Sequence, residues 1–184
     1  LFQGLAVHPQ WDWAIKYPVL RFSFGSETFT QPQGLVDALD TQLTQWERQF
    51  NLTPMFKHVG GRFSDLILQL HQRTGQPVVV LVDEYDKPIL DALHYPDVAR
   101  QNRDILRGFY GTIKDYDAHI RFAFLTGVSK FSKVSLFSGL NNLTDITLDE
   151  RYSSICGYTD HDVNTVFAPE LAGLEREDIR HWYN

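Results

Sequence analysis

The sequence predicts an α/β fold built on a mainly parallel β-sheet, and three observations lead to this prediction. Residues 78–82, VVVLV, are aliphatic throughout, too few for a helix and too apolar for a strand with one face in water. Segments of helical periodicity separate this run from two further strand-like segments. Glycine, carboxylate or hydroxyl residues follow each of the three strand-like segments. Alternation of this kind implies right-handed crossovers, hence parallel strands with helices on both faces.

Length and composition are those of an ordinary globular protein. The 184 residues make one domain, or one and a fraction, with 43% hydrophobic residues and a net charge of −6. This acidic balance argues against binding nucleic acid through the overall field, although a local basic patch stays open. The lone cysteine, Cys156, excludes an internal disulfide and a thiolate zinc site, so we expect a cytoplasmic location. No apolar run reaches the length of a membrane span, so we expect no membrane partner.

The first half of the chain predicts one strand and two helices. Residues 1–17 have no clear period and are predicted to form a loop that can include a short helix, and Val19–Phe24 (VLRFSF) is strand-like. Apolar residues then recur at spacings of four, four, three and four, which predicts an amphipathic helix with an inner face of Leu35, Leu39, Leu43, Trp46 and Phe50. Gly60-Gly61 is expected to break the chain before a second helix, which ends by Gly75.

The alternation continues after the aliphatic run. Pro88 suits the first turn of a short helix over Ile89–His94. Asp97 can cap a longer helix, whose inner face would be Ile105, Leu106, Phe109, Tyr110, Ile113 and Tyr116. Ile120–Leu125 (IRFAFL) predicts the third strand.

The C-terminal part carries weaker signals. Residues 128–149 are rich in Ser, Asn and Lys and have no period that predicts a regular element. Thr159 or Asp160 is expected to cap a short helix. A charged helix is predicted over Glu175–His181, with Trp182 turned inward.

The main functional signal is the acid pair Asp83-Glu84, directly after the aliphatic run. The carboxyl ends of parallel strands form the crevice where ligands bind, and two acids there can hold a divalent cation and polarise a water. Aliphatic residues followed by Asp-Glu are the Walker B signature of many P-loop nucleotidases. Thr126 follows the next strand and would lie beside the acids, where such enzymes keep a sensor of the terminal phosphate or attacking water. A structural alternative stays open, since a buried strand also needs a polar stop.

Two lysines follow the third strand. Lys130 and Lys133 would lie close to the same edge of the sheet, where they could face phosphate. The alternative is that both are solvated loop lysines, because lysine is usually exposed.

Several segments together resemble the bacterial AAA-ATPase-like family: LFQGLAV, WDWxxKYPV, VVVLVDEYDKPIL, FLTGVSKFSKVSLFSGLNNLTDITLD and WYN. The resemblance implies a three-layer P-loop NTPase-like fold, with ATP and Mg²⁺ as cofactors of the complete protein. It implies Asp83 as the magnesium-binding acid, Glu84 as the base that orients water, and Thr126 as the sensor. In complete members a nuclease-like domain of the PD-(D/E)XK type often follows. The family core would span residues 1–150, and a truncated helical extension would span residues 151–184.

The chain departs from the family in one motif. It contains no G-x-x-x-x-G-K-[ST] segment, the Walker A loop whose backbone and lysine hold the phosphates. We therefore expect a fragment that begins after that loop and does not hydrolyse ATP alone. Three classes stay open: an ATPase domain of a larger protein, a degenerate P-loop scaffold or binding module, and a metal-dependent nuclease. The nuclease would use Asp83, Glu84 and Asp86, but the net acidity and the spacing of Lys87 disfavour it.

Overall fold

The computed structural model describes residues 2–5, 7–128 and 140–183. The chain forms two compact units, one that ends at Asn142 and one that begins at Leu143. The predicted domain limits, 1–150 and 151–184, stay a prediction. No helix in the described ranges is both long enough and apolar enough to cross a membrane.

A three-stranded parallel sheet forms the centre of the first unit, in the order β1-β2-β3. Its strands are β1 (Val19–Ser23), β2 (Val78–Asp83) and β3 (Ile120–Leu125). The prediction of a parallel sheet with the second and third strands as neighbours is confirmed. The third strand has its predicted bounds, the first ends one residue earlier than predicted, and the second extends by one residue to include Asp83.

Four helices connect these strands: α1 (Pro32–Gln49), α2 (Val59–Thr74), α3 (Lys87–Leu90) and α4 (Pro96–Asp115). Short 3₁₀ turns cover His8–Gln10 and Asp117–His119. Each of α1, α3 and α4 has a proline in its first turn, where the missing N–H costs nothing. Gly75 ends α2 in the left-handed conformation, φ +66°, as is typical of a helix C-cap.

Several helix boundaries differ from prediction. Gly60-Gly61 lies inside the first turn of α2, because His58 caps the helix earlier by accepting the Gly61 N–H on Nδ1 at 3.0 Å. Asp97 does not cap α4, which begins at Pro96, but lies in its first turn, where a negative charge is favourable. The short helix starts two residues before the predicted Ile89, with Pro88 in its first turn, and ends at Leu90, four residues before the predicted His94.

The hydrophobic core lies between one face of the sheet and α1, α2 and α4. These three helices contact one another and therefore form a single layer. The register pairs Leu20 with Val80 and Phe22 with Val82, so these four buried side chains share that face. The Phe22 ring meets Phe63 of α2 and Phe109 of α4 edge-on, at centroid distances of 5.1 and 5.2 Å.

The opposite face of the sheet is less covered within the described residues. Val79 and Leu81 of the central strand are half-buried, although the aliphatic run predicted burial on both faces. On the flanking strands, Val19 is 40% exposed and Phe122 is 54% exposed. The difference arises because the described helices α1, α2 and α4 pack on one side. The second helical layer of the predicted three-layer fold stays a prediction.

A buried ion pair joins α1 to α2. Arg62 and Glu47 are each 6% exposed, and the guanidinium donates to both carboxylate oxygens, at 2.8 and 2.6 Å. Arg62 also donates to Thr44 Oγ1 at 2.8 Å and to the Asp40 carboxylate. The hydrogen bond to Glu47 raises the pKa of Arg62 above its ordinary value. The two charges thus satisfy each other where water is largely excluded.

The second unit contains a 3₁₀ turn at Glu150–Tyr152 and two helices, α5 (Asp160–Thr165) and α6 (Arg176–Tyr183). Thr159 caps α5 in a reciprocal capping box with Asp162, as the sequence predicted for Thr159 or Asp160. The inward orientation predicted for Trp182 is wrong, because its side chain is 82% exposed.

We expect Arg62→Ala to lower the free energy of unfolding by about 3–5 kcal/mol, because it leaves the Glu47 carboxylate buried without a cation. Arg107→Ala is the matched control on α4, where an exposed pair with Asp104 should contribute at most about 1 kcal/mol. The double variant Arg62→Met/Glu47→Leu should recover most of the loss. Urea denaturation measures all three, and equal losses for Arg62→Ala and Arg107→Ala would contradict the assignment.

Candidate functional site

The carboxyl ends of the three strands meet at one edge of the sheet. Asp83 is the last residue of β2, and Thr126 follows the last residue of β3. Thr126 Oγ1 donates to Asp83 Oδ1 at 3.0 Å, and the Thr126 N–H donates to the Val82 carbonyl at 2.8 Å. The Tyr85 N–H donates back to the Thr126 carbonyl at 2.9 Å. Asp83 and Thr126 are therefore neighbours, as expected from the two strand ends.

Arg21, which was not among the predicted site residues, also contacts Asp83. Arg21 of β1 places Nη2 3.3 Å from Asp83 Oδ2, with the two side chains 63% and 48% exposed. The register sets this contact, since Ser23 lies opposite Asp83 and Arg21 is two residues back on the same face. The carbonyl of Arg21 accepts a hydrogen bond from Trp46 Nε1 at 3.0 Å. A cation inside the apolar strand VLRFSF was the available signal.

Glu84 occupies a strained backbone conformation. Its φ of +55° lies in the left-handed region, which costs a residue with a Cβ about 1–2 kcal/mol. The half-buried side chain lies over Gly25, just beyond β1, where an added Cβ would be 3.1 Å from Glu84 Oε1. Within the described part of the chain, no hydrogen bond engages the Glu84 carboxylate. Strain of this kind is concentrated at functional sites, where surrounding structure holds it in place.

The loop after β1 is tied to the segment that follows the acids. Lys87 Nζ donates to Asp91 Oδ2 at 2.6 Å and to the Glu27 carbonyl at 2.9 Å. The Phe29 N–H donates to Asp91 Oδ2 at 3.2 Å, and the Phe29 carbonyl accepts from Asn102 Nδ2 at 3.0 Å. These bonds tie the loop after β1 to the segment that follows Glu84.

The donor set suits a hard divalent cation. Asp83 presents a carboxylate beside the Thr126 hydroxyl, and its 48% exposure leaves room for the several waters that Mg²⁺ retains. Within the described ranges, no group of three or more His, Cys, Asp or Glu side chains is placed to share a metal ion. The set of Asp83, Glu84 and Asp86 considered for a nuclease therefore does not form such a group, and Asp86 is fully buried.

The two candidate phosphate lysines, Lys130 and Lys133, lie outside the described residues. Their role stays a prediction from the sequence.

Comparison with known proteins gives one family and one relative. Residues 1–137 match the model of a family described as "Predicted AAA-ATPase". Over its full length the chain is 56% identical to a protein of Azotobacter chroococcum mcd 1 described as "Uncharacterized protein in vnfD 5'region". The match covers 100% of this chain and 36% of that relative, so the chain spans about a third of the relative's length. No solved structure gives a significant match.

We expect Glu84→Gly to raise the free energy of unfolding by about 0.5–1 kcal/mol. Glycine removes the cost of the left-handed backbone, about 1–2 kcal/mol, and loses part of this gain to the greater freedom of the unfolded chain. Glu84→Ala is the control, since it removes the same carboxylate but keeps the Cβ. Chemical denaturation compares the two, and an Ala variant as stable as the Gly variant would refute the strain.

Proposed function

The chain belongs to the AAA-ATPase-like family, and from this premise we propose that it is part of a protein that binds ATP and hydrolyses it with Mg²⁺. The proposal includes a P-loop NTPase-like fold for the complete protein. The observation that carries it is the hydrogen bond between Thr126 and Asp83 across adjacent strand ends. A chance polar stop at the end of β2 would not require a hydroxyl from the next strand to face the acid.

Asp83 is the metal-binding acid of the proposal. Its carboxylate lies at the strand end, oriented by Thr126 and half-open to solvent. Mg²⁺ bound there would neutralise charge on the phosphates. Arg21 pairs with the same carboxylate, so a cation that binds Asp83 must compete with the guanidinium.

Glu84 is the general base of the proposal. Its carboxylate carries no hydrogen bond within the described residues and can accept a proton from an attacking water. Glu84 has a left-handed backbone, and its side chain lies over Gly25. In the proposal the two acids have different roles: Asp83 binds the cation, and Glu84 accepts a proton from the water.

Thr126 is the sensor of the proposal, and Lys130 and Lys133 are candidate phosphate ligands. A hydroxyl at the end of the strand beside the acids can hydrogen-bond the terminal phosphate or the water. Phosphoryl transfer depends mostly on positioning and charge stabilisation, so such contacts account for much of the rate.

The phosphate cradle is proposed to lie in the part of the protein that this chain does not span. The 184-residue sequence contains no G-x-x-x-x-G-K-[ST] segment. The chain matches 36% of the length of its relative. We therefore expect the 184-residue chain alone neither to bind nor to hydrolyse ATP measurably. A nuclease-like domain in the same polypeptide is a further part of the proposal.

We expect Glu84→Gln in the full-length protein to retain ATP binding and to lower turnover by about 10²-fold or more, because an amide cannot accept the proton of water. Asp83→Asn should in addition weaken the Mg²⁺-dependent part of ATP binding. Calorimetry measures binding, and phosphate release measures turnover.

Asp97→Asn is the control for these two variants, since Asp97 is an exposed acid on α4 and its side chain is 85% accessible. It should leave binding and turnover unchanged. Full turnover by the Glu84→Gln variant would remove Glu84 from its role. ATP binding without turnover in the wild-type protein would favour the alternative, a degenerate P-loop scaffold or binding module.

We expect Arg21→Gln to strengthen Mg²⁺ binding in the presence of ATP. An exposed ion pair contributes about 0.2–1 kcal/mol, so releasing Asp83 from it should lower the half-saturating Mg²⁺ concentration about 1.5- to 5-fold. Arg100→Gln, an exposed pair on α4, is the control and should change nothing. A higher Mg²⁺ requirement for Arg21→Gln would show that Arg21 assists the cation instead of competing with it.

A further inference from the structure

Asp86 is a buried acid, and its position at the start of α3 does not explain why its carboxylate is buried. It stands at the N-cap position of α3, three residues after Asp83, and its side chain is fully buried. An aspartate at this position normally accepts a hydrogen bond from the first turn of its own helix. The Asp86 side chain makes no such capping bond. Burying a carboxylate is costly unless it is hydrogen-bonded, so its partners must lie elsewhere.

The carboxylate points to the backbone that follows β3. Asp86 Oδ1 accepts the Val128 N–H at 3.3 Å. The chain approaches it so closely at Gly127 that an added Cβ would lie 2.5 Å from Asp86 Oδ1 and 2.7 Å from Tyr85 Cε1. A side chain of any size is therefore excluded at Gly127, which lies between the sensor Thr126 and the residue that Asp86 binds.

Tyr110 of α4 contacts the backbone next to Asp86. Tyr110 of α4 is buried, and its hydroxyl donates to the Tyr85 carbonyl at 3.3 Å. Burial, and then the nearby Asp86 charge, raise the pKa of Tyr110 well above its ordinary value, so the phenol keeps its proton and donates. Tyr85 in turn donates its N–H to the Thr126 carbonyl at 2.9 Å.

We propose that Asp86 is a positioning residue, which clamps the backbone of residues 126–128 so that the Thr126 hydroxyl stays on Asp83. The inference rests on the proposed ATPase function and adds the element that couples the acidic turn, residues 83–86, to the sensor Thr126. Asp86 touches no reacting atom, and its effect passes through Gly127 and Val128. Without the clamp, the backbone of residues 126–128 can move away from Asp86, and the Thr126 hydroxyl then no longer keeps its orientation toward Asp83.

The test compares four variants of the full-length protein. Asp86→Ala removes the acceptor, whereas Asp86→Asn keeps an oxygen of nearly the same position and volume. Gly127→Ala forces the same two segments apart from the other side. Gly111→Ala is the matched control in α4, where nothing lies within 4 Å of the added Cβ.

We expect Asp86→Ala and Gly127→Ala to lower kcat about tenfold or more while KM for ATP changes less than about threefold, because the sensor acts in the transition state. Asp86→Asn should restore most of kcat, and Gly111→Ala should match the wild type. A loss in Asp86→Asn equal to that in Asp86→Ala, or a loss confined to KM, would overturn the clamp.

Hydrogen exchange separates this inference from the proposed function. In the full-length protein, the amides of Tyr85 and Val128 should exchange faster in Asp86→Ala and Gly127→Ala, and at the wild-type rate in Asp86→Asn and Gly111→Ala. If the wild-type protein does not hydrolyse ATP, the function fails but this comparison still tests the clamp. Unchanged exchange at residues 126–128 in Asp86→Ala would refute the clamp.

Discussion

The position of β2 between two parallel neighbours is the constraint on which the rest of the first unit depends. Parallel strands end at the same edge of a sheet, so the residues that follow β1, β2 and β3 must meet there. Right-handed crossovers in the order β1-β2-β3 also place the connecting helices on one side. The core and the candidate site therefore have a single origin: helices cover one face, and the acids lie at the end of the strand with a partner on each side.

Contacts on the β1 side and on the β3 side hold the acidic turn in place, and Glu84 within it has a strained backbone. On the β1 side, Lys87 and Asp91 fasten the loop that follows the strand. On the β3 side, Asp86 binds the backbone beyond Thr126. Glu84 lies between these attachments in a left-handed conformation. Fixed surroundings are what allow one residue to retain an unfavourable backbone geometry without relaxing.

The elements that could be predicted were those with a local signal. Uniform aliphatic composition marked β2, and apolar spacing marked α1 and α4. The meeting of Asp83 and Thr126 followed from parallel strands with β2 and β3 as neighbours. The contacts of Arg21 and Asp86 depend on strand register and on close backbone approach, which no run of residues encodes locally. The burial of both faces of β2 was mispredicted for a related reason. An aliphatic run indicates an apolar environment, but it does not indicate whether one face or both faces of the strand are covered.

The hydrogen bond from Trp46 to the Arg21 carbonyl gives the protein an optical reporter beside the candidate site. Indole emission shifts with the polarity and hydrogen bonding of its surroundings, and Trp46 of α1 is half-buried and hydrogen-bonded to β1, the strand that carries Arg21. The other three tryptophans, Trp11, Trp13 and Trp182, are 52%, 42% and 82% exposed, so collisional quenchers in solution reach them first. The emission that quenchers reach least therefore comes from Trp46, whose hydrogen-bond partner Arg21 also pairs with Asp83, so it reports on the site without an added label.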